Sequence, residues 1–401
     1  MFASYRSVLT RPGAIAFSSA GFVARLPISM VTLAIVLLIA ERSGSYGLAG
    51  AVSAAYMVAT SFSSPVLARL IDAWGQQRVL VPGVALFAGG LLGLATSVEL
   101  DLSTPVPHMF AALGGLGYPP VGACVRARWT HLLGPGRDLH TAFSIEAVVD
   151  ESIFMLGPVL VTLLATQVHE MAGIASVVVC ALVGGFWFAA LRGTQPTVRQ
   201  TRRRRVDRDG LDWAWMLPLV FVAACLGSLF GATEVVTVAF AAEQGHPKAV
   251  GVLLAVWALG SLLAGVLTGL YSGGSSALRR YRLGALGMAA AMVPLPFIDD
   301  LVVLGGVLFL GGFAISPTMV AAMSLVEANV AASRLTEGIT WVTTGIGLGI
   351  APGAAIAGAL IDEFGASPAY FVSAVSGVLA AVIAAATGSR TVARDHALDT
   401  T

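Results

Sequence analysis

The chain has 401 residues, of which 57% are hydrophobic and only 11% charged, with a formal net charge of +1. Soluble domains carry about 25% charged residues, so a chain this poor in charge cannot keep its surface wetted, and a soluble globular protein is excluded. Net charge of +1 says nothing about partners, because in a bilayer protein the placement of the charges carries the information. A nucleic-acid partner is not expected, since the apolar sequence flanking the chain's one arginine run offers no soluble domain to present it.

Residues 1–12 hold two arginines ahead of an apolar run of about 26 residues. That run is too long for the core of a signal peptide and reads as an uncleaved first span. Crossing a hydrocarbon core of about 30 Å takes about 20 residues at 1.5 Å each. Runs of roughly that length occur at 14–39, 47–71, 79–98, 107–130, 141–166, 171–191, 213–241, 248–271, 283–298, 301–326, 336–361 and 368–388. Twelve spans are therefore predicted, the ninth being short and containing Pro294 and Pro296. Between the sixth and seventh lies the one long polar segment, from Arg192 to Trp213, with four consecutive arginines at Arg202 to Arg205. The predicted architecture is an all-α integral membrane protein of two pseudo-symmetric six-helix bundles, 1–191 and 213–401 with a short tail, joined by a basic linker over 192–212.

If both termini and the linker face the cytoplasm, 20 basic residues fall on that side and only Arg42 and Lys248 on the other, with Arg25 inside a span. The opposite face carries acids, including Glu41, Glu99, Asp101, Glu170, Glu243, Asp299, Asp300, Asp362 and Glu363. Cytoplasmic loops collect Lys and Arg, so the termini are expected inside and the protein in the plasma membrane. The halves read as repeats: aligning the ends of the first and seventh spans superposes Thr32 on Thr233, and Gly157-Pro158 falls on Ala351-Pro352. Cys124, Cys180 and Cys225 sit in apolar runs without a CxxC pair and are expected as reduced core residues. Glycines at close spacing, such as Gly345, Gly347, Gly349 and Gly353, are expected on helix-packing surfaces.

After the second span the chain reads Ala68-Arg-Leu-Ile-Asp72-Ala-Trp-Gly75-Gln-Gln-Arg78-Val-Leu80. This resembles the signature of the major facilitator superfamily, in which Gly-x-x-x-Asp-x-x-Gly is followed by basic residues and a closing Leu. Asp72, Gly75 and Leu80 match in spacing and Arg78 supplies the charge; Ala68 replaces the first glycine, and Gln76 and Gln77 replace basic residues. The resemblance covers essentially the whole chain. It implies a transporter of a small-molecule substrate that works by alternating access, with Asp72, Gly75 and Arg78 closing the cytoplasmic side. In physical terms, a glycine permits the tight turn and an aspartate can sit against a helix N-terminus. The superfamily's antiporter motifs in the fourth and fifth spans are weakly represented here.

Ionisable groups inside a bilayer cost about 2.5–3.5 kcal/mol each on insertion scales and so default to functional candidates. They are Arg25 in the first span, Arg126 and Arg128 in the fourth, Glu146, Asp150 and Glu151 in the fifth, and Glu234 in the seventh. At 1.5 Å per residue, Asp150 and Arg25 lie about 14–17 Å from the cytoplasmic ends of their spans, and Glu146 and Arg126 about 6–8 Å. Arg25 is therefore expected to pair with Asp150 or Glu151, and Glu146 with Arg126 or Arg128. Asp150 or Glu151 is a candidate proton carrier tuned by Arg25; Glu234 could draw a cationic substrate or take a proton. Tyr118, Trp257 and Trp341 are candidate aromatic walls. No HExxH pattern or GxxxxGK[ST] loop occurs, so neither a metalloenzyme nor a nucleotide-driven pump is expected, and no cofactor. The expected activity is secondary transport of a small organic solute, first as proton-coupled efflux and alternatively as uptake of a sugar or organic acid. A monomer in the lipid bilayer is expected.

Overall fold

The computed structural model describes residues 2–134, 137–196, 212–270, 276–330 and 335–387, and every regular element among them is a helix. Hydrocarbon offers peptide groups no water, so each crossing must satisfy its own backbone, which a helix does. Ten stretches are long and apolar enough to cross a membrane: Ala14–Ser43, Tyr46–Ile71, Gln76–Glu99, Thr141–Gln167, Glu170–Ala190, Trp213–Glu243, Ala249–Leu267, Leu301–Val326, Trp341–Phe364 and Ala366–Ala386. They are the predicted spans one to three, five to eight and ten to twelve.

The helices at the predicted fourth and ninth spans depart from a simple rod. The fourth consists of two 13-residue helices, Pro105–Gly117 and Val121–Leu133, parted at Tyr118, where ψ swings to 109° ahead of Pro119 and Pro120. Two successive prolines remove two amide donors, so the i to i−4 ladder cannot run through. The ninth is the 16-residue helix Ala277–Met292, which starts earlier than the expected 283–298 and ends ahead of Pro294. Three arginines made 277–282 read as loop. One of them is accommodated by helix chemistry: Arg282 donates to the carbonyls of Ala384 (3.3 Å) and Thr387 (2.6 Å) at the C-terminus of the twelfth span, where free carbonyls and the negative dipole end favour a cation.

The first span also breaks, into Ala14–Arg25 and Pro27–Ser43 around Leu26, whereas its counterpart Trp213–Glu243 is one continuous 31-residue helix. The internal repeat thus fails at the breaks, and these lie in the bundle that carries the buried charges. The first six spans pack on one another, as do the last six; the joint between the bundles is second against eleventh, fifth against eighth, and first against seventh. Gly345, Gly349 and Gly353 face the seventh span, with a Cβ placed on Gly349 lying 1.9 Å from the Ala224 carbonyl oxygen, while Gly347 faces Ser61 of the other bundle. Without a hydrophobic drive between helices in lipid, such close backbone approach is what holds them. None of the three cysteines is joined in a disulfide. Residues 197–211, including the four-arginine run, lie outside the described residues.

Candidate functional site

The broken first span presents Arg25, 4% exposed, to the fifth span. Arg25 Nε donates to the Gly21 carbonyl (3.0 Å), Nη1 to Asp150 Oδ1 (2.7 Å) and Nη2 to Glu146 Oε2 (2.5 Å). Glu146 is fully buried, and its second oxygen accepts from Ser18 Oγ (2.9 Å) and Trp129 Nε1 (2.8 Å). The second oxygen of Asp150 accepts from Arg126 Nη2 at 2.5 Å. Two guanidiniums and two carboxylates thus balance in charge, and the cluster binds the first, fourth and fifth spans together. It is dry at one end and wet at the other: the side chains of Asp150 and Arg126 are 32% and 43% exposed. Exposed charges cannot rest against acyl chains, so this end of the cluster is the one that meets water.

Part of the expected pairing is corrected here. Asp150 does meet Arg25, but Glu146 meets Arg25 too, and neither Arg126 nor Arg128. The fifth helix begins at Arg137 rather than 141, which sets Glu146 about 14 Å deep and within reach of Arg25. Arg128 is fully buried elsewhere: it lies over the Phe188 ring (3.7 Å), donates to the carbonyls of Phe188 (3.0 Å) and Leu191 (2.9 Å) at the end of the sixth span, and reaches Gln76 Oε1 (2.8 Å). It therefore caps a helix and stands apart from the carboxylates.

Glu151 and Glu234 have no ion pair among the described residues. Each instead touches a hydroxyl of the opposite bundle: Ser261 Oγ lies 3.5 Å from Glu151, and Thr32 Oγ1 donates to Glu234 at 2.7 Å. Both therefore face the joint between the bundles. Tyr118 is buried at the break of the fourth span against Phe87 (5.2 Å between ring centroids). Trp341 packs edge-on with Trp213 (5.1 Å), and Trp257 with Phe230 (5.6 Å). Ser18 and Trp129 went unread in the sequence, and Thr32 and Gln76 were read there only as repeat and signature positions. Of the first pair, only Ser18 left a signal there, standing seven residues from Arg25 on the same helix face.

Where the bundles are joined follows from Asp362, near the acidic end of the eleventh span. Its carboxylate accepts from Ser45 Oγ (2.7 Å) and from the backbone amides of Tyr46 (2.7 Å) and Gly47 (2.8 Å), the free donors at the N-terminus of the second span. Lys248 Nζ meets Gln167 Oε1 (3.0 Å) at the same end. Between that end and the level of Ser61 and Gly347, the two helices run in contact. Asp362→Ala should release the second span's N-terminus, at a cost of about 1 kcal/mol or roughly a fivefold shift toward separation of this end. Spin-label distances between the second and eleventh spans would register that widening, and an unchanged distance distribution would show that the carboxylate does not hold the end shut.

A profile of the Major Facilitator Superfamily matches residues 17–302. The chain belongs to the Major Facilitator Superfamily. Among solved structures it is similar to a mutant form of the nucleoside transporter NupG, with a TM-score of 0.76 at 14% identity, over 93% of this chain and 98% of that one. The peptide transporter POT matches with a TM-score of 0.70 at 15% identity, over 94% and 93% of the two chains. The human organic anion transporter MFSD10 matches with a TM-score of 0.65 at 15% identity, over 93% and 99%. None of the curated proteins matches the chain in sequence. The fold is therefore that of the superfamily, and the chain is a multi-pass membrane transporter. In the superfamily signature, Gly75 adopts φ 88°, a left-handed backbone that glycine alone enters freely, and its amide closes the second helix on Ile71 (2.8 Å). Arg78 is exposed at the start of the third helix. Asp72 lies in the last turn of the second helix, its side chain outside the described residues. Gln76, in a place the signature gives to a basic residue, is buried and joins the Cys124 carbonyl (3.1 Å) to Arg128.

Proposed function

We propose that this superfamily member is a monomeric, proton-coupled secondary transporter of the plasma membrane that exports a small organic solute, with both termini and the 192–212 linker in the cytoplasm. The supporting observation is the double engagement of Asp150 by Arg25 and Arg126 at the wet end of the charge cluster. A proton on Asp150 removes the charge that both guanidiniums share. Arg25 retains Glu146, whereas Arg126 loses its ion pair, so the two protonation states tie the first, fourth and fifth spans differently. Proton occupancy would then bias which packing of the bundles is favoured. A cleft open toward the basic, cytoplasmic end is the state in which an exported solute loads.

Asp150→Asn reconstituted in liposomes should retain exchange of solute without a gradient and lose its acceleration by an imposed pH gradient, read with a pH-sensitive dye and a panel of labelled organic solutes. Unchanged gradient dependence would remove Asp150 from the coupling role. Accumulation down the proton gradient, in the same sense as proton flow, would replace export with uptake.

A further inference from the structure

Two stripes of the C-terminal bundle, each with one residue that touches the N-terminal bundle, meet in an aromatic pair. On the seventh span, Phe230 and Glu234 stand one turn apart on one face, and Glu234 holds Thr32 of the first span. On the eighth, Trp257 and Ser261 are related in the same way, and Ser261 reaches Glu151 of the fifth. The Phe230 and Trp257 rings meet edge to face at 5.6 Å and so join the two stripes. Counting 1.5 Å per residue from the acidic ends of these helices, Glu234 and Trp257 lie about 12–14 Å deep, Ser261 and Phe230 about 18–20 Å, and Glu151 about 24 Å. Two aromatic rings are therefore bracketed in depth by carboxylates about 10 Å apart, at the joint between the bundles.

The electrostatics of this region have one sign. Arg25 and Arg126 are matched by Glu146 and Asp150, and Arg128 is engaged by carbonyls at the end of the sixth span. Glu151 and Glu234 remain with hydroxyl partners and no cation among the described residues. A carboxylate at membrane depth is costly without a counter-charge, and an aromatic face adds attraction for a desolvated cation. Trp257, 8% exposed, supplies an independent feature: its indole N–H, beside Gly311 of the tenth span, has no hydrogen-bond partner among the described residues. A donor left in the hydrocarbon layer suits a ligand bearing an ether or carbonyl oxygen.

We propose that the exported solute is an organic cation, held against Phe230 and Trp257 between Glu234 and Glu151. This rests on the transport reading above and names the substrate class for that cleft. It also agrees with exchange: a cation and a proton compete for the same carboxylates, which links their movements in opposite directions.

Tetraphenylphosphonium and tetraphenylborate, nearly the same in shape and opposite in charge, separate the contributions. With the purified full-length chain in detergent, calorimetry should show phosphonium binding at least about tenfold tighter than borate, the scale of a desolvated cation–π and charge contact. Glu234→Gln and Glu151→Gln should each reduce phosphonium affinity by about tenfold and leave borate unmoved, with Glu234→Asp recovering most of the loss. Unaltered melting temperatures would show that these variants remain folded. Equal binding of the two ions, or affinity indifferent to both carboxylates, would overturn the proposal; preference for borate would do so in favour of Arg126. The assay needs no gradient, so its failure alongside Asp150-dependent, proton-driven flux of other solutes would sink the cation assignment and leave the transport reading standing.

Discussion

Arg25→Met is expected to destabilise the protein by about 3–5 kcal/mol, the cost of breaking a buried ion pair by removing one partner. Methionine matches the arginine stem in volume, so the effect isolates the charge. Without the guanidinium, Glu146 at 0% exposure keeps only Ser18 and Trp129, and Asp150 one turn away becomes a like-charge neighbour balanced by Arg126 alone. The break at Leu26, which turns Arg25 toward the fifth span, also loses the interaction it serves. Combining Arg25→Met with Glu146→Gln should restore at least half of the lost stability, because the amide no longer needs a cation. Thermal unfolding in detergent measures both variants. Wild-type melting of the single variant would mean that the cluster carries no net stabilisation, and failure of the pair to recover would move the effect from charge to packing.

Gly349→Ala should cost about 1–3 kcal/mol, the penalty for adding a methyl where none fits, although alanine is the better helix former by about 1 kcal/mol. The added Cβ would stand 1.9 Å from the Ala224 carbonyl oxygen, and a backbone atom cannot swing aside as a side chain can. A Cβ placed on Gly227, Gly231 or Gly353 would likewise collide with a backbone oxygen along the same seam, so methyl groups there would force the two helices apart over several turns. The consequence extends to function, because the seventh span carries Glu234 and the eleventh carries Asp362. Gly306→Ala on the tenth span, with nothing within 4 Å of the new methyl, provides the contrast and should be neutral or stabilising. Equal melting temperatures for the two alanine variants would refute close approach as the basis of this seam.

Apolar run length alone located ten of the crossings, because hydrocarbon thickness imposes a fixed helix length on any sequence that spans it. The same property hid the breaks at Leu26 and Tyr118, since a kinked helix is as apolar as a straight one. Proline marked both places without saying which way the chain would turn. The buried charges were visible as rare ionisable residues in apolar runs. Their partners were not: Glu146 went to Arg25 because the fifth helix starts four residues earlier than hydropathy suggested, a shift of about 6 Å in depth.

By itself the sequence determined an all-helical, multi-pass membrane protein, its charge asymmetry and its stock of intramembrane ionisable groups, all of which follow from one-dimensional spacing and composition. The tertiary structure alone decided which guanidinium meets which carboxylate, that Arg128 closes a helix end, that Asp362 joins the second span to the eleventh, and that Glu151 and Glu234 are left to hydroxyls. Those outcomes depend on helix rotation and on where two bundles touch. A rotation of 100° per residue carries a side chain from lipid to cleft while leaving the apolar profile of the run unchanged.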